Sequence, residues 1–394
     1  MATSLRTSDR LQAIRAFCLS QRDWLVETIE ALVRLESPSD DKAAVDRCGA
    51  ALAARLEAMG GRVTRLPQRD RGDHLRAEFR TLEPSNPRTL EPQILLLGHF
   101  DTVWPVGTLE RMPLRNVDGR LHGPGVFDMK AGIGIAMLAA RALVETDQLR
   151  DRGIVMLWTT DEEVGSGTSR AIVEDEARRS GAVLVLEPSL PGGAVKTSRK
   201  GCGEYELIVR GVAAHAGVDP SKGASAIHEL ARQILRIEQL HDLERGVSVN
   251  VGRVSGGTRT NVIAEEARAV VDVRAATADD ARRVDAAFRQ LTPVDARTTL
   301  TITGGIDRPP LERSAGVVRL YQYAQAVAAE LGFSLSEGST GGGSDGNFTA
   351  AVGVSTLDGL GAVGDGAHAL HEHVEVGPLA DRAALVAGFI ASVK

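Results

Sequence analysis

The sequence predicts an α/β protein whose mainly parallel, mixed sheet is flanked by helices and interrupted by an inserted α+β domain. Three observations carry that expectation. The chain has 394 residues, more than one hydrophobic core usually organises. Three short apolar runs, ILLLGHFDT at 94–102, IVMLWTTDEEV at 154–164 and VLVLEPS at 183–189, alternate with helical stretches, as βαβ units do. Near residue 199 the pattern changes to half-exposed alternation, beginning with EYELIVRG at 204–211.

In order, residues 8–35 read as one helix, with Leu11, Ile14, Phe17, Trp24, Ile29, Leu32 and Val33 on a drifting apolar stripe. Ser37-Pro38-Ser39 ends it. Asp40 or Asp41 can cap a second helix that runs to about Met59 and stops at Gly60-Gly61. Residues 62–66 and 75–79 read as short strands, and 81–92 as a polar, proline-rich loop before the strand into His99. The glycine-rich stretch HGPGVFDMKAGIGI at 122–135 leads into a helix from about Lys130 to Val144. A strand at 154–159, a helix around 168–180 and a strand at 183–187 complete the alternation. The middle block then reads as a strand at 204–211, a helix at 222–240, strands near 247–254 and 267–274, a helix near 278–291 and a strand near 298–303. That order makes an antiparallel sheet with two helices on one face. Pro309-Pro310 ends the block, and a helix at 315–331 with a strand at 352–357 returns to the first region. The expected division is one domain of 1–198 with 309–394, split around an insertion at 199–308.

Composition narrows the function classes. At 43% hydrophobic and 25% charged the chain is ordinary for a soluble globular protein. A formal charge of −6, with no long basic run, argues against a nucleic-acid partner. No run of 18 or more apolar residues offers a membrane span. The opening MATSLRTSDRLQAIRAF lacks the apolar core of a secretory signal. Three widely spaced cysteines, Cys18, Cys48 and Cys202, fit plain thiols in a reducing cytoplasm and match no zinc–thiolate spacing. A cytoplasmic location is the expectation.

In an open α/β sheet the carboxyl ends of parallel strands line one crevice where ligands bind. The three apolar runs deliver His99 with Asp101, Asp161 with Glu162 and Glu163, and Glu187 to that edge. Such a donor set suits a hard divalent cation. His99 and Asp101, two apart on a predicted strand, share a face, so the carboxylate can bond the second imidazole nitrogen. A buried histidine satisfied by a neighbouring acid has the same pattern. Asp128, in a glycine-rich turn before a helix, fits either a metal ligand or an N-cap. On an extended segment the side chains of Glu162 and Glu163 diverge, so one can hold metal while the other faces substrate as general base. A solvated acidic turn reads alike. Glu187 closes an apolar strand, where an acid is costly unless paired or bound to metal.

Eight motifs fall in a recurring order: GHFDTV at 98–103, GPGVFDMKAG at 123–132, TTDEEVGS at 159–166, LEPS at 186–189, GVAAHAG at 211–217, TRTNVI at 258–263, DVR at 272–274 and TGGGSDGN at 340–347. Over nearly the whole chain they resemble metallopeptidase family M20. That family includes glutamate carboxypeptidases, aminoacylases, acetylornithine deacetylase and succinyl-diaminopimelate desuccinylase. TGGGSD and TRTN are most similar to the glutamate carboxypeptidase branch.

The resemblance implies a zinc-peptidase catalytic domain and a ferredoxin-like lid that also dimerises. It implies two zinc ions (Zn2+), with Co2+ or Mn2+ as possible substitutes. His99 and Glu187 are implied on one ion, Glu163 on the other, and Asp128 between them. The last ligand is a histidine from HALHEHVEV at 368–376. The family spacing of four residues before a glutamate places it at His368, with Glu372 as the glutamate and His371 as the alternative. Glu162 is implied as general base on a metal-bridging hydroxide, and Asp101 as the group that orients His99. The Asp128–Met129 peptide is implied to be cis.

In the lid, His215 is implied to reach a partner subunit's site and stabilise a tetrahedral oxyanion. Arg274 is implied to grip the substrate's free carboxylate, with Asn261 beside it. Gly342 and Gly343 are placed to let backbone amides approach the substrate. The glycines lack the Lys-Ser/Thr of a phosphate loop. The implied activity is hydrolysis of an amide next to a free α-carboxylate, on a C-terminal glutamate-like residue or an N-acyl amino acid. Deacylation of the acetylornithine deacetylase or desuccinylase kind is the alternative, and a non-catalytic binding protein the least favoured reading. The implied partners are a small peptide or N-acyl amino acid and a second copy of the chain, joined through the lid.

Overall fold

The computed structural model describes residues 7–79, 92–149 and 153–393. The loop expected at 81–92 lies, apart from Pro92, outside the described residues. Contacts divide the chain into one unit of Met1–Ser198, Arg313–Ser339 and Ser344–Lys394, and a second of Arg199–Glu312 with Thr340–Gly343.

The first unit opens with α1 (Thr7–Ser20) and α2 (Arg22–Val33). The single helix expected over 8–35 is broken at Gln21, whose φ and ψ of −106° and 18° leave the helical region. The buried stripe of Leu11, Ile14, Cys18, Leu25, Ile29 and Leu32 stays in register across the break, so periodicity cannot reveal it. Asp41 caps α3 (Lys42–Ala58), its carboxylate accepting the Ala44 N–H at 2.9 Å. There follow β1 (Arg62–Leu66), β2 (His74–Phe79) and β3 (Gln93–His99). A hairpin of β4 (Arg115–Val117) and β5 (Arg120–His122) comes next. It turns on Asp118 and Gly119, both at positive φ (51° and 75°), the Asp-Gly arrangement of a two-residue turn.

Then come α4 (Ala131–Glu145), β6 (Ile154–Thr159), α5 (Arg170–Arg178), β7 (Ser180–Val185) and β8 (Val195–Arg199). The second unit contributes β9 (Gly201–Arg210), α6 (Ala226–Glu238), β10 (Ser248–Gly256), β11 (Glu266–Ala275), α7 (Ala278–Arg289) and β12 (Thr299–Arg308). The chain returns through α8 (Ala315–Glu330), β13 (Glu337–Thr340), α9 (Gly346–Ala351), β14 (Thr356–Leu357), β15 (Gly364–Asp365), β16 (His373–Glu375) and α10 (Leu379–Ser392).

The main sheet runs β1-β2-β6-β3-β7-β14. Strands β6, β3, β7 and β14 are parallel neighbours, and β2 and β1 extend that edge antiparallel. Its central strands are buried on both faces, which explains their unbroken hydrophobicity. Ile94, Leu96, Met156, Trp158 and Leu184 pack in the large core with α1, α2, α4, α8 and α10. Leu95, Leu97, Val155, Leu157, Val183 and Val185 meet Val173 and Ala177 of α5 and Phe348 of α9 in a second cluster. Each such side chain adds about 1.5–3 kcal/mol on burial. Two expected strands differ: β7 ends at Val185, leaving Glu187 two residues beyond it, and the strand expected at 352–357 is reduced to Thr356–Leu357. Val352 and Gly353 instead close α9, with Gly353 at φ 87°.

The second unit is an antiparallel sheet, β10-β11-β9-β12, in β-α-β-β-α-β chain order, which is the ferredoxin-like arrangement. Strict alternation along β11 puts Val271 and Val273 into a core with Tyr205, Leu207, Leu230, Ile237, Val284 and Phe288. The rings of Tyr205 and Phe288 stack with centroids 4.0 Å apart. Cys18, Cys48 and Cys202 are all free and buried. Among the described residues no helix is long and apolar enough to cross a membrane.

Candidate metal centre

At the carboxyl end of β3, the His99 Nδ1–H donates to the Asp101 carbonyl oxygen at 3.0 Å and lies 3.3 Å from its Oδ1. The proton is thereby held on Nδ1, which leaves the Nε2 lone pair for a metal. Asp101 performs this beyond the strand, which stops at His99. Nε2 faces Asp128 Oδ1 at 3.2 Å and Glu187 Oε1 at 3.5 Å. The other Asp128 oxygen, Oδ2, lies 3.4 Å from His368 Nε2, which is 3.1 Å from Glu163 Oε2. Asp128 therefore stands between two imidazoles, with Glu187 beside one and Glu163 beside the other. His99, Asp128 and Glu163 each offer a donor atom within 4.8 Å of the others. His371 is exposed, and its carbonyl accepts from His373 Nδ1 at 3.0 Å.

The local backbone explains this convergence. Asp128 ends the glycine-rich turn, and the peptide that follows it, Asp128–Met129, is cis. Glu372 holds that turn: Oε1 accepts the N–H groups of Phe127 and Asp128 at 2.9 and 3.1 Å, and Oε2 accepts Gly125 N–H and Trp104 Nε1–H at 2.9 and 2.8 Å. The sequence marked Glu372 only as a spacing landmark. Its buried role comes from long-range donors that no local pattern displays. Helix α4 approaches closely because Gly132 has no side chain; a Cβ there would sit 2.0 Å from the Leu186 carbonyl oxygen, next to Glu187. His368 adopts a left-handed φ of 61°.

Glu162 and Glu163, expected on an extended segment, lie instead in a 3-10 turn, Glu162–Val164. Successive side chains of such a turn diverge by about 120°, so the two carboxylates still part. The turn is secured because Asp161 Oδ2 accepts the N–H and Oγ1–H of Thr168 at 2.6 and 2.7 Å, and Asp101 Oδ2 accepts the Glu163 N–H at 3.3 Å. Ser39 Oγ–H also donates to Asp101 Oδ2 at 2.7 Å. Both glutamates are half-buried.

Charge at the cluster is set by mutual contact. Burial works against an imidazolium at His99, yet Asp101, Asp128 and Glu187 hold its pKa well above the ordinary value. Asp128 and Glu163 push His368 up to about 10. Burial raises the Asp128 carboxyl, but His368 and His99 outweigh it and hold it below the usual range. Glu163 is raised, by burial first and then by Asp128, against the pull of His368. Four carboxylates thus gather around two imidazoles, and they favour the protonated rings where a cation would otherwise stand. Metal–ligand bonds of about 2.0–2.2 Å put two donors on one tetrahedral ion roughly 3.3 Å apart. The separations of 3.1 to 3.5 Å fit that requirement, and the nitrogen and oxygen donors fit zinc.

The remaining residues singled out in the sequence lie in the second unit. His215 is exposed, and its Nδ1 accepts the N–H groups of Gly217 and Val218, each at 3.2 Å. Its proton is therefore on Nε2, available as a donor. The Asn261 carbonyl accepts the Ala216 N–H at 2.9 Å, which fixes the two motifs side by side. Arg274 is already engaged: its Nε and Nη2 groups donate to Asp272 at 2.8–3.0 Å, and Nη1 donates to Cys202 Sγ at 2.6 Å. The carbonyls of Gly342 and Gly343 accept from Arg199 Nη1 at 3.2 and 3.0 Å. A cavity of about 550 Å³ beside His215 is lined by Ala216, Arg232, Arg259, Thr260 and Arg297 among others. Arg259 stands in the TRTN motif, two positions before Asn261.

Residues 95–392 match the model of peptidase family M20/M25/M40. Carboxypeptidase G2 of Pseudomonas sp. (strain RS-16) is 30% identical over 93% of this chain and 88% of its own length. The succinyl-diaminopimelate desuccinylase of Verminephrobacter eiseniae is 28% identical over 88% of this chain and 90% of its own. The crystal structure of the aminopeptidase PepT from Bacillus cereus superposes with a TM-score of 0.81 at 23% identity, covering 94% of this chain and 98% of that one.

Proposed function

The chain belongs to peptidase family M20/M25/M40 and is a metal-dependent hydrolase, and from that premise we propose that it is a two-zinc carboxypeptidase. Its substrate is an amide adjoining a free α-carboxylate. The observation that carries this reading is the position of Asp128, one oxygen at His99 and the other at His368, with Glu187 and Glu163 at the two ends. His99, Glu187 and Asp128 would hold one ion, and Asp128, Glu163 and His368 the other. When bound, such ions supply an acidified water and an electrophile for the scissile carbonyl.

The chain's own residues do the rest. Glu162, next to the ligand Glu163 in one turn, takes the proton of the attacking water and returns it to the leaving amine. Asp101 keeps the His99 proton on Nδ1. His215, with its proton on Nε2, donates to the developing oxyanion of a partner subunit's substrate, which makes the active assembly a homodimer through the lid. Arg274 receives the substrate carboxylate; Asn261, expected beside it, belongs instead to the opposite end of the sheet, since Arg274 pairs with Cys202 while Asn261 accepts from Ala216 beyond the Glu266–Arg210 end. Gly342 and Gly343 supply backbone to the acyl side.

The relative named carboxypeptidase G2 supports release of a C-terminal residue, and the relative named desuccinylase supports the second reading, removal of an N-acyl group. Both break the same bond and differ in what lies on the acyl side. Hydrolysis of acyl-glutamates, dipeptides, N-acetyl and N-succinyl amino acids by the zinc-loaded enzyme separates them. Fastest turnover of acyl-glutamates is expected; faster N-succinyl cleavage would replace the first reading with the second.

A further inference from the structure

In the first unit, away from the metal-centre ligands, two histidines face each other across the small sheet β15-β16-β5-β4. His122 of β5 and His373 of β16 are direct partners in the antiparallel register. Directly opposed residues share a face, with Cβ atoms about 5 Å apart. Their neighbours Leu121 and Val374 are fully buried, so these two hold the inner face and the half-buried histidines the outer one. The two rings have centroids 5.1 Å apart and planes inclined at 31°. The same cross-strand row continues to Asp365, opposite His373, and to Arg115, opposite His122.

Several features make this pair a chelator rather than a stacked surface contact. Two imidazoles bonded to one tetrahedral ion at about 2.0–2.1 Å place their ring centroids roughly 5 Å apart. The pair already has that spacing. His373 donates its Nδ1–H to the His371 carbonyl at 3.0 Å, which leaves the lone pair on Nε2 and fixes the ring. Burial, then His373, Arg115 and Arg120, hold His122 below the usual imidazole value, so it is a neutral ligand at pH 7. Asp365 is exposed at the end of the row, its Oδ1 accepting the Gly366 N–H at 2.7 Å. The arginines disfavour ions held by charge alone, such as Mg2+ or Ca2+, and leave those that bond strongly to imidazole nitrogen.

We propose that His122 and His373 form a second metal site on the protein surface, for a borderline-soft divalent ion of the Cu2+, Ni2+ and Zn2+ class. Water completes its shell. Copper binds tightest, following the general order for nitrogen donors. A bound ion ties β5 to β16. Strand β5 leads directly into the 123–128 turn, and β16 begins one residue after Glu372, whose carboxylate holds that turn. The ion therefore braces both strands that carry the Asp128 loop. The site shares no ligand with the proposed hydrolytic centre.

Enzyme already loaded with zinc at that centre is titrated with Cu2+ by calorimetry and by electron paramagnetic resonance. The wild type takes up one further equivalent, with superhyperfine splitting from two nitrogens. His122→Gln and His373→Gln each lose that equivalent. Copper that exchanges into the zinc centre is common to all three proteins and cancels in the comparison. Equal copper uptake and identical spectra in wild type and both variants overturn the proposal. Paramagnetic broadening of the two imidazole resonances by Ni2+ in the wild type gives a reading that needs no variant; resonances left sharp at saturating Ni2+ overturn it equally.

Discussion

The carboxylate of Glu372 and the backbone of Asp128 are directly bonded: Oε1 accepts the Asp128 N–H at 3.1 Å, 244 residues distant in sequence. The same carboxylate takes three further donors from Trp104, Gly125 and Phe127. All four contacts are donated to it, so an amide in its place would turn an NH2 group toward N–H groups. Glu372→Gln is expected to weaken metal affinity by about 10–100-fold, the usual cost of losing a group that orients ligands. Chelator competition measures this, with circular dichroism confirming the fold. Wild-type affinity in a folded variant would mean that the turn holds its shape without Glu372.

The adjacent acids of the Glu162–Val164 turn should separate by function. Glu162→Gln is expected to retain metal and lose about 10²–10⁴-fold in kcat, the contribution of a general base. Glu163→Gln is expected to lose metal, because the His368 ring then has only Asp128 as a charged neighbour within 3.4 Å. Metal content and single-turnover rates distinguish the two. Full turnover in Glu162→Gln would remove it from the proton path.

Most of the candidate centre was legible because the side chains that converge there stand where chain pattern and chemistry coincide. His99 and Glu187 close apolar runs, and Asp128 sits in a glycine-rich turn. What escaped was held by distance or by shortness. Glu372 gathers donors from residues 104–128, which no local spacing displays. The hairpin at 115–122 has strands of three residues, too short for alternation, although Asp118-Gly119 announced its turn. The break at Gln21 left the buried stripe in phase. Arg274 fits the motif for a carboxylate grip, yet its fork is occupied by Asp272, a contact that pairs alternate residues of one strand and that sequence leaves undetermined.

Gly132 should tolerate no side chain. A Cβ would lie 2.0 Å from the Leu186 carbonyl oxygen, a backbone atom that cannot step aside without moving Glu187. Gly132→Ala is expected to cost about 1–3 kcal/mol in stability, as overpacking does. It should also lower metal affinity, through the displaced Glu187. Thermal unfolding and metal titration together test this. A stable variant with weakened metal binding would still support the positional argument; wild-type values in both would refute it.

Metal loading should release protons. In the free protein His99 is held well above the ordinary imidazole range and His368 is pushed up to about 10, so both carry charge at pH 7. An ion requires each Nε2 deprotonated. Affinity for each ion is therefore expected to rise with pH by up to about 10-fold per unit while its own histidine's proton remains to be displaced. The sign for stability without metal is the reverse. A histidine whose folded pKa is raised stabilises fully below its unfolded value of about 6.5, and that contribution fades as pH rises toward 10. The chelated protein should lose melting temperature between pH 7 and 10, and His368→Asn should flatten that slope. Calorimetry of zinc binding in two buffers of different ionisation enthalpy counts the protons directly. Release of none at pH 7 would show that the imidazoles are already neutral, and that the carboxylates around them are balanced in another way.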